Sequence, residues 1–447
     1  MSARSATEVA PARAAAHLVV RAVFATGAFA DRTLHRQSEG LSARDRQLAM
    51  RLAYGTVQRR MTLDHLIERL SDRPASKLDQ VVLSVLRMGL YELCYMDGAP
   101  DRAVVNDAVA LARQGGSQGH GLVNAVLRRG ARDGPGLLGE LSDQSADQAA
   151  VMHSHPLWIA QMWFSELGAD HARALLAAGN QPAETALRVN TLCVETATVA
   201  AELRVPSRTD PDLPEALVID GPFDAYGSPA WRAGAFTPQS RASMLVAHVL
   251  DPKPGERVLD LCAAPGGKST HLAALMGGQG EVVAVDRSSR RAGALERNAQ
   301  RMHAHNVRVE VADATLTRAQ GDLFDRVLVD PPCSGLGTLG SHPDLRWRMN
   351  QQEVLELAGV QRAILDSGAG ALRPGGVLVY STCTISQTEN ERQIAAFLDR
   401  HPDFHVDPPP PRLRAPAHPS PGAGDFVLTL PHRDRTQGFF IARLRRD

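Results

Sequence analysis

The first third of the chain has apolar residues at helical spacing. In AAAHLVVRAVFATGAFA and LDQVVLSVLRMGLYELCYM, apolar positions return every three or four residues, which places them on one face of a helix. The pattern continues over residues 8–130 and predicts an all-helical domain that occupies residues 1–135. Glycines and a proline are frequent at 131–150, and we predict a linker there.

The middle of the chain has a different pattern. ALRVNTL and EALVID are short apolar runs typical of strands, and TATVAAELR between them favours a helix. Residues 151–235 are therefore predicted to form a small α+β subdomain.

From residue 236 to residue 447, short apolar runs alternate with amphipathic stretches. The runs ERVLDLC, EVVAVD, VRVEVAD, FDRVLVD and GGVLVYSTC predict strands, and helices are predicted between most of them. Such alternation is typical of a doubly wound, mainly parallel sheet in an α/β domain. FVLTL and GFFIARL are expected to add a closing antiparallel pair, and the Pro-rich stretch 407–423 to form a surface loop.

Composition and charge narrow the class of protein. The 447 residues are 44% hydrophobic and 22% charged, as in soluble globular proteins of two or three domains. No apolar run approaches the roughly 20 residues that span a bilayer, and no secretory signal is recognisable, so we expect a cytoplasmic protein. Basic and acidic residues number 49 each, which excludes a uniformly basic coat but allows a local basic face. Four arginines of the helical domain are expected to be exposed, either as such a face or as ordinary solvated charge: Arg59, Arg60, Arg128 and Arg129.

The five cysteines suit reduced thiols, because they form no CxxC pair and their number is odd. Cys94 and Cys193 are interpreted as packing residues. Cys333 and Cys383 follow two successive predicted strands of the sheet and are candidate nucleophiles. Two histidine pairs lack a further ligand at suitable spacing, so no metal site is predicted at them: His153 with His155, and His303 with His305.

Chemically distinctive residues lie at the predicted strand ends. In an open α/β sheet, ligands bind outside the carboxyl ends of the strands, where strand order reverses. The first strand runs into Cys262–Lys268, a turn rich in glycine and alanine that lets backbone approach a ligand before a helix N-terminus. Asp286 and Asp313 end the next two strands, and the three features together predict an adenosine-containing cofactor. The turn is neither GxGxxG nor a Walker loop, which disfavours dinucleotides and triphosphates.

These motifs resemble those of the Sun-type family of S-adenosylmethionine-dependent RNA cytosine-5 methyltransferases. The resemblance is carried by CAAPGGKSTHL, VVAVDRS, VADAT, VLVDPPCSG and VYSTCTISQTENE, and the combination of DPPC with TCT is its specific part. RDRQLAMRLAYGTVQRRMTLD, LRMGLYELCYM and GLVNAVLRR are similar to a NusB-like RNA-binding domain, so the resemblance covers nearly the whole chain. Ser240 is a departure, because related proteins usually carry an acidic residue there.

The resemblance implies a role for each matching residue. Seven would wrap the methionine end of S-adenosylmethionine: Cys262, Ala263, Ala264, Pro265, Gly266, Gly267 and Lys268. Asp286 would hold the ribose, and Asp313 would lie near the adenine amino group. Asp330 would contact the target base and the cofactor, Cys383 would be the nucleophile, and Cys333 would assist product release.

The resemblance also implies the cofactor and the partners. S-adenosylmethionine would be the methyl donor, and RNA, above all ribosomal RNA, would be the substrate. The protein would be a monomer that needs neither a metal nor a membrane. Three alternatives stay open: a related transfer-RNA enzyme, an enzyme acting on a small molecule or a protein side chain, and a non-catalytic RNA-binding or assembly factor. The helical domain disfavours a small substrate, and Cys333 with Cys383 and Asp330 disfavours a non-catalytic factor.

Overall fold

The computed structural model describes residues 9–316, 323–409, 413 and 425–447. Most of the predicted loop at 407–423 lies outside them. The chain forms two compact units: Met1–Gln181 with Leu339–Met349, and Pro182–Thr338 with Asn350–Asp447. The division at Gln181 assigns residues 151–181 to the helical unit, whereas the sequence predicts a domain start at 151. None of the described helices has the length and apolarity that a membrane span requires.

The first unit is helical, as predicted for the N-terminal domain. Its helices up to residue 181 are α1 (Pro11–Thr26), α2 (Ala30–Gln37), α3 (Ala43–Gln58), α4 (Arg60–Ser71), α5 (Gln80–Tyr95), α6 (Asp101–Gln114), α7 (His120–Gly139), α8 (Ala146–His153), α9 (Leu157–Leu167) and α10 (Ala169–Ala178). The apolar faces of α1, α3 and α5 meet in a core that contains Val19, Leu52 and Leu86, all fully buried. Helical spacing of apolar residues therefore predicted α1, α3 and α5 correctly.

The predicted linker at 131–150 is wrong, because α7 continues through Pro135 to Gly139. Two of its glycines, Gly130 and Gly134, allow close packing against α5. A Cβ atom at Gly130 would lie 2.3 Å from Leu90 Cδ2, and one at Gly134 would lie 2.7 Å from the sulfur of Cys94. The glycines thus allow two helices to approach closely, a contact that sequence pattern alone does not distinguish from a flexible connection.

Arg59 and Arg60 are half-buried, which corrects their predicted exposure. The guanidinium of Arg59 lies 4.8 Å from the ring centroid of Tyr95, and that of Arg60 lies 5.2 Å from the ring centroid of Phe24. Burial lowers the pKa of Arg60. Arg128 and Arg129 are exposed on α7, as predicted.

The segment Leu339–Met349 belongs to the helical unit although it follows residue 338 of the other unit. Within this segment, the side chain of Arg346 is fully buried. It donates hydrogen bonds to the carbonyl oxygens of Ser154, at 3.1 Å, and Gly179, at 2.7 Å. The indole of Trp347 donates to the carbonyl oxygen of Val57 at 2.7 Å. The bonds of Arg346 offset part of the cost of burying a guanidinium, whose Nε has no hydrogen-bond partner among the described residues.

The second unit begins with a small antiparallel sheet of order β2-β3-β1-β4. Its elements are β1 (Thr185–Val189), α11 (Thr196–Glu202), β2 (Ser207–Thr209), β3 (Ala216–Ile219), α12 (Pro229–Arg232) and β4 (Phe236–Pro238). The predicted β1, α11 and β3 are confirmed, whereas the three-residue strands β2 and β4 were not predicted. β4 pairs with β1, so this sheet extends beyond the predicted subdomain limit at residue 235.

The larger sheet has the order β10-β12-β9-β8-β5-β6-β7, with β11 also paired to β12. The remaining elements are α13 (Arg241–Leu250), β5 (Arg257–Leu261), α14 (Gly267–Leu275), β6 (Glu281–Asp286), α15 (Ser289–Arg301), β7 (Val307–Val311), β8 (Phe324–Val329), α16 (Leu345–Arg348, in the helical unit), α17 (Gln351–Ala371), β9 (Leu372–Thr382), α18 (Glu391–Arg400), β10 (Phe404–Val406), β11 (Val427–Thr429), α19 (Pro431–Asp434) and β12 (Phe439–Arg446).

This sheet confirms the predicted doubly wound architecture. Strands β9, β8, β5, β6 and β7 run parallel, and β12 and β11 form the expected antiparallel pair. Strand β5 has β6 on one side and β8 on the other, so strand order reverses there. The crevice beyond the carboxyl ends of β5 and β8 is therefore the expected ligand site.

Candidate active site

The loops after β8 and β9 bring Cys333 and Cys383 together. The two strands are adjacent and parallel, so their carboxyl ends lie at the same edge of the sheet. The two sulfur atoms are 3.2 Å apart, and both residues line a cavity of about 310 Å³. The structure thus brings the two candidate nucleophiles, Cys333 and Cys383, into one cavity.

Asp330 lies in the same cavity and makes two hydrogen bonds. Its Oδ2 accepts from Lys268 Nζ at 2.7 Å, and its Oδ1 accepts from the hydroxyl of Ser381 at 2.8 Å. Burial works to lower the pKa of Lys268, but the charge of Asp330 and the hydrogen bond outweigh it, so this pKa is raised. Lys268 is therefore a charged ammonium at neutral pH, and Asp330 presents acceptor oxygens.

The surroundings of the two thiols differ. The pKa of Cys333 is raised well above its usual range by its hydrogen bond to Cys383, by burial and by the negative charges of Cys383 and Glu389. Lys268 interacts electrostatically with Cys383. Cys383 thus has a cation among its surroundings, whereas those of Cys333 favour its protonated form.

The turn after β5 also contributes residues to the cavity. Cys262, Ala264 and Lys268 line it, whereas Ala263, Pro265, Gly266 and Gly267 do not. Gly266 instead supports the turn: it has φ +95°, and a Cβ atom there would lie 3.1 Å from Leu295 Cγ on α15. Burial, with nearby carboxylates, raises the pKa of Cys262 to about 12.

Two aspartates at neighbouring strand ends complete the cofactor side. Asp286, at the end of β6, is 3% exposed; its Oδ1 accepts from the Ser288 backbone N–H at 2.9 Å, and Arg291 lies 3.3 Å from its Oδ2. Asp313 follows β7 and accepts from the backbone and hydroxyl of Thr315, whose hydrogen bonds lower the pKa of Asp313. Both line the cavity, which has the size of a small-molecule site.

Asp260 is a buried carboxylate that the sequence analysis did not select. It is 1% exposed within β5, and burial raises its pKa to about 7. Ser269 donates to its Oδ2 at 2.6 Å, while its Oδ1 has no hydrogen-bond partner among the described residues. An acidic residue inside the apolar run VLDLC was the available signal, because such a position is unfavourable without a polar partner.

Ser240 is the departure noted from related sequences, and it keeps a structural role. It precedes α13, where its hydroxyl oxygen accepts from the backbone N–H of Ser243 at 3.3 Å. The same hydroxyl donates to the side-chain oxygen of Gln437 at 2.9 Å. A serine therefore caps this helix without an acidic side chain.

The histidine pairs make bonds within the protein. His153 Nε2 lies 3.0 Å from an oxygen of Asp143, His155 Nδ1 lies 2.8 Å from the His153 carbonyl oxygen, and His303 Nε2 lies 3.2 Å from the Ala233 carbonyl oxygen. Over the described ranges, one cluster brings three possible metal ligands together: Glu215, His248 and His271. Glu215 Oε1 lies 2.8 Å from His248 Nε2 and 2.9 Å from His271 Nε2.

The other two cysteines differ from each other. Cys94 is half-buried beside Gly134, and burial raises its pKa to about 11, as suits a packing residue. Cys193 is exposed, so its predicted packing role is wrong. Cys193 lies in the turn that follows β1, beyond the end of the strand, and its side chain is exposed to solvent.

The parallel sheet with antiparallel β12 at its side, and the cavity at the β5 switch point, define a Rossmann-like methyltransferase domain. Comparison with protein-family models agrees. The model described as 16S rRNA methyltransferase RsmB/F matches residues 247–445, the NusB family matches residues 10–132, and the ferredoxin-like domain of RsmF/B-like methyltransferases matches residues 155–226. The chain belongs to the RsmB/F family of rRNA methyltransferases.

Relatives match over the full length. A probable ribosomal RNA small subunit methyltransferase B from Synechocystis sp. is 37% identical, over 97% of this chain and 99% of that protein. A protein of the same description from Bacillus subtilis is 35% identical over 92% of each chain. The crystal structure of PH0851 has a TM-score of 0.82 at 28% identity and covers 98% of this chain and 99% of its own.

A second solved structure carries a bound ligand. NSun6 from Pyrococcus horikoshii, solved with the S-adenosylmethionine analogue SFG, has a TM-score of 0.60 at 26% identity. It covers 65% of this chain and 98% of its own. The predicted three-part fold class is confirmed by these matches: a NusB-like helical domain, a small ferredoxin-like middle domain and a Rossmann-like methyltransferase domain.

Proposed function

We propose that the protein transfers a methyl group from S-adenosylmethionine to carbon 5 of a cytidine in small-subunit ribosomal RNA. The observation that carries this proposal is the 3.2 Å approach of two thiols, Cys333 and Cys383, in one cavity with Asp330. Paired thiols beside a carboxylate suit covalent activation of a pyrimidine. The names of the relatives, which are ribosomal RNA methyltransferases, support ribosomal RNA as the substrate.

Cys383 is the proposed nucleophile. Carbon 5 of cytosine is a poor nucleophile, and a thiolate that adds to carbon 6 forms an S–C6 bond and moves ring electrons toward carbon 5. Lys268 lies close enough to interact with Cys383 electrostatically and supplies the counter-charge for its thiolate. S-adenosylmethionine, when bound, supplies an electrophilic methyl group on a sulfonium.

Cys333 acts after the S–C6 bond has formed. The hydrogen bond to Cys383 and the charge of Cys383 both raise the pKa of Cys333. Bond formation at Cys383 removes that charge, so Cys333 loses its proton more easily and takes part in removing the proton on carbon 5. Those C–H electrons then restore the C5–C6 double bond and expel the Cys383 thiolate.

Asp330 is the proposed contact to the target base. Both of its oxygens are acceptors in the structure, from Lys268 and from Ser381. An acceptor carboxylate suits the exocyclic amino group of cytosine. A base within a helix cannot present its face to this cavity, so the target cytidine must be unstacked.

The residues around the turn after β5 fit the cofactor. Asp286 is placed to accept from ribose hydroxyls, and Asp313 lies one strand further along the same edge, suitable for the adenine amino group. The orphaned Oδ1 of Asp260 adds a buried acceptor beneath the turn. The whole turn Cys262–Lys268 remains the proposed seat of the methionine end, with Cys262, Ala264 and Lys268 facing the cavity.

The experiment is methylation of transcribed small-subunit ribosomal RNA by the purified full-length protein. With methyl-labelled S-adenosylmethionine, nucleoside mass spectrometry should detect label in 5-methylcytidine. Transfer RNA in a parallel reaction separates the two RNA classes. Label in a nucleoside methylated on an exocyclic nitrogen, or no incorporation into either RNA, would contradict the proposal.

A further inference from the structure

Glu389 lies in the segment that follows Cys383, and the function above assigns it no role. Its carboxylate is fully buried. Oε1 accepts from the Ser334 backbone N–H at 2.9 Å and from Gln361 Nε2 at 2.9 Å, and Oε2 accepts from the Ser334 hydroxyl. In the part of the chain that the structure describes, no lysine or arginine pairs with it. A buried carboxylate without a cation is costly, and here only neutral donors offset that cost.

These hydrogen bonds connect the two cysteine loops. Ser334 directly follows Cys333, and its hydroxyl lies 2.7 Å from the hydroxyl of Thr384, which directly follows Cys383. Gln361 also donates to the carbonyl oxygen of Pro332 at 3.0 Å, just before Cys333. The backbone on both sides of Cys333 is thus held through partners of one carboxylate.

The segment is tied back to the sheet as well. The hydroxyl of Tyr380 on β9 donates to the carbonyl oxygen of Glu389 at 2.6 Å, and the side-chain amide of Asn390 donates to the carbonyl oxygen of Thr384 at 3.1 Å. All of these side chains are buried. A buried polar network in which every group is hydrogen-bonded fixes one arrangement of its side chains. Glu389 is therefore held rigidly and can hold both loops in place.

The charge of Glu389 also distinguishes the two thiols. The contact with Cys383 and burial raise the pKa of Cys333 most, and the charge of Glu389 raises it further. Lys268, in contrast, interacts with Cys383. The charge of Glu389 therefore favours the protonated form of Cys333, whereas Lys268 is a cation that interacts with Cys383.

We propose that Glu389 is a positioning residue that fixes the Cys333 and Cys383 loops in one geometry and, opposite Lys268, gives the two thiols their separate roles. The assignment of those roles rests on the proposed function. The joining of the loops and the difference in thiol chemistry are measurable without RNA.

The test compares three variants of the full-length protein with the wild type. Glu389→Gln keeps the shape of the side chain but removes its charge. It also places an amide NH2 group where a carboxylate oxygen accepted hydrogen bonds. Ser334→Ala removes the hydroxyl that links the carboxylate to Thr384 and keeps the charge. Ser386→Ala is the matched control, since that buried hydroxyl lies in the same segment and has no hydrogen-bond partner among the described residues.

The first readout is alkylation of each cysteine by iodoacetamide across a pH series, followed by peptide mass spectrometry. Loss of a nearby negative charge should make Cys333 in Glu389→Gln react roughly tenfold faster at pH 8, with Cys383 changed much less. Ser334→Ala should leave the Cys333 profile closer to wild type. A Cys333 profile in Glu389→Gln equal to that of Ser386→Ala would overturn the electrostatic part.

The second readout is steady-state methylation. Misplaced loops should lower kcat by about tenfold or more in Glu389→Gln and Ser334→Ala while KM for RNA changes little, because neither residue lines the cavity. Wild-type kcat in both variants would overturn the positioning role, and Ser334→Ala alone decides this if Glu389→Gln does not fold. If the wild type forms no 5-methylcytidine, the proposed function fails, and the alkylation profiles still decide the role of Glu389.

Discussion

Single side chains at the carboxyl edge of the sheet divide into two groups by their surroundings. Lys268 and Asp330 form a pair that is 14% and 25% exposed, so both groups are accessible to a ligand. Cys333 and Cys383 lie beside that pair, whereas Glu389 is sealed behind them. In the proposed mechanism, groups at the cavity surface react, and buried groups that solvent does not reach hold them in position.

The two thiols should behave differently when each is removed. Cys383→Ala should abolish methylation and leave no covalent RNA adduct, because the pKa of each of the other two thiols that line the cavity, Cys333 and Cys262, is raised. Cys333→Ala should still form the bond through Cys383 but release it slowly, so a protein–RNA complex should survive denaturing electrophoresis. The double mutant should lose that complex. Adducts from Cys383→Ala and none from Cys333→Ala would reverse the roles, and full activity in both would end the covalent mechanism.

Asp286 should contribute directly to cofactor affinity. In Asp286→Ala, S-adenosylmethionine binding should weaken by roughly 1.5–3 kcal/mol, the scale of a hydrogen bond to a charged group. The full-length protein is the proper subject for calorimetry, because a fragment that starts at residue 236 would separate β4 from its partner β1. Asp251→Ala, at the exposed end of α13, is a control that should bind normally. Equal affinity of wild type and Asp286→Ala would remove the assignment.

Sequence pattern located the residues at strand ends but not those that support them. Asp286, Asp313, Asp330 and the cysteines follow apolar runs, so the end of each run marked them. Asp260 lies inside such a run, and the importance of Glu389 depends on a contact with Ser334, 55 positions earlier. Contacts of that kind depend on the packing of loops, which residue spacing does not encode.

Elements of the second unit meet at a buried cluster of titratable groups. His248 on α13 and His271 on α14 both approach Glu215, which precedes β3. Burial lowers the pKa of His271 to about 4. Burial works to raise the pKa of Glu215, but hydrogen bonds to both histidines outweigh it, so this pKa lies below its usual range. The cluster therefore couples the packing of these helices to pH.

The stability of the second unit should fall as the solution becomes acidic. His271 has a lowered pKa in the fold, so its stabilising effect is complete above pH 6.5 and is lost between pH 6.5 and about 4. The effect of Glu215 is lost below pH 4.5. Through His271 alone, the free energy of unfolding should fall by up to about 3 kcal/mol from pH 7 to pH 4.

Denaturant unfolding at several pH values measures this effect. His271→Gln should remove that part of the pH dependence, whereas His405→Gln, at an exposed histidine, should retain it. A difference in unfolding free energy between wild type and His271→Gln that stays constant from pH 7 to pH 4 would contradict the expectation.

At the scale of helices and strands, a strong period of apolar residues was sufficient to predict an element, whereas very short strands and glycine-rich helix ends were not predicted. Four of the five parallel strands, β5, β6, β8 and β9, are apolar runs that are mostly buried, and β7 was predicted from its alternating valines although its residues are half-buried or exposed. β2 and β4 are three residues long, too short for a period to be visible. In α7, Gly130, Gly134 and Pro135 have the composition of a linker, but close packing on α5 explains the two glycines.

The whole molecule combines a helical unit with a catalytic one, and the family match includes NusB over residues 10–132. Basic side chains on the helical unit are expected to bind RNA phosphates without reading sequence. Arg128 and Arg129 are exposed, whereas Arg59 and Arg60 are packed on aromatic rings. The exposed pair is therefore the better target for a test of RNA docking.

Reversal of the exposed pair should weaken RNA binding through electrostatics. In Arg128→Glu with Arg129→Glu, the apparent KM for ribosomal RNA should rise more than kcat falls, and the dependence of log affinity on log salt should become shallower by about 1.4–1.8. The matched control reverses Arg204 and Arg208 of the second unit, with the same change in net charge. Equal weakening by both pairs would mean that net charge, not the helical unit, determines RNA binding.

The segment Leu339–Met349 has a consequence for the order of events during protein synthesis. Arg346 donates to carbonyl oxygens at Ser154 and Gly179, yet it is added 165 residues after Gln181. At typical translation rates, that interval lasts roughly 10–30 seconds. During this time β5 to β8 leave the ribosome, so the helical unit reaches its final form only after most of the parallel strands have been made.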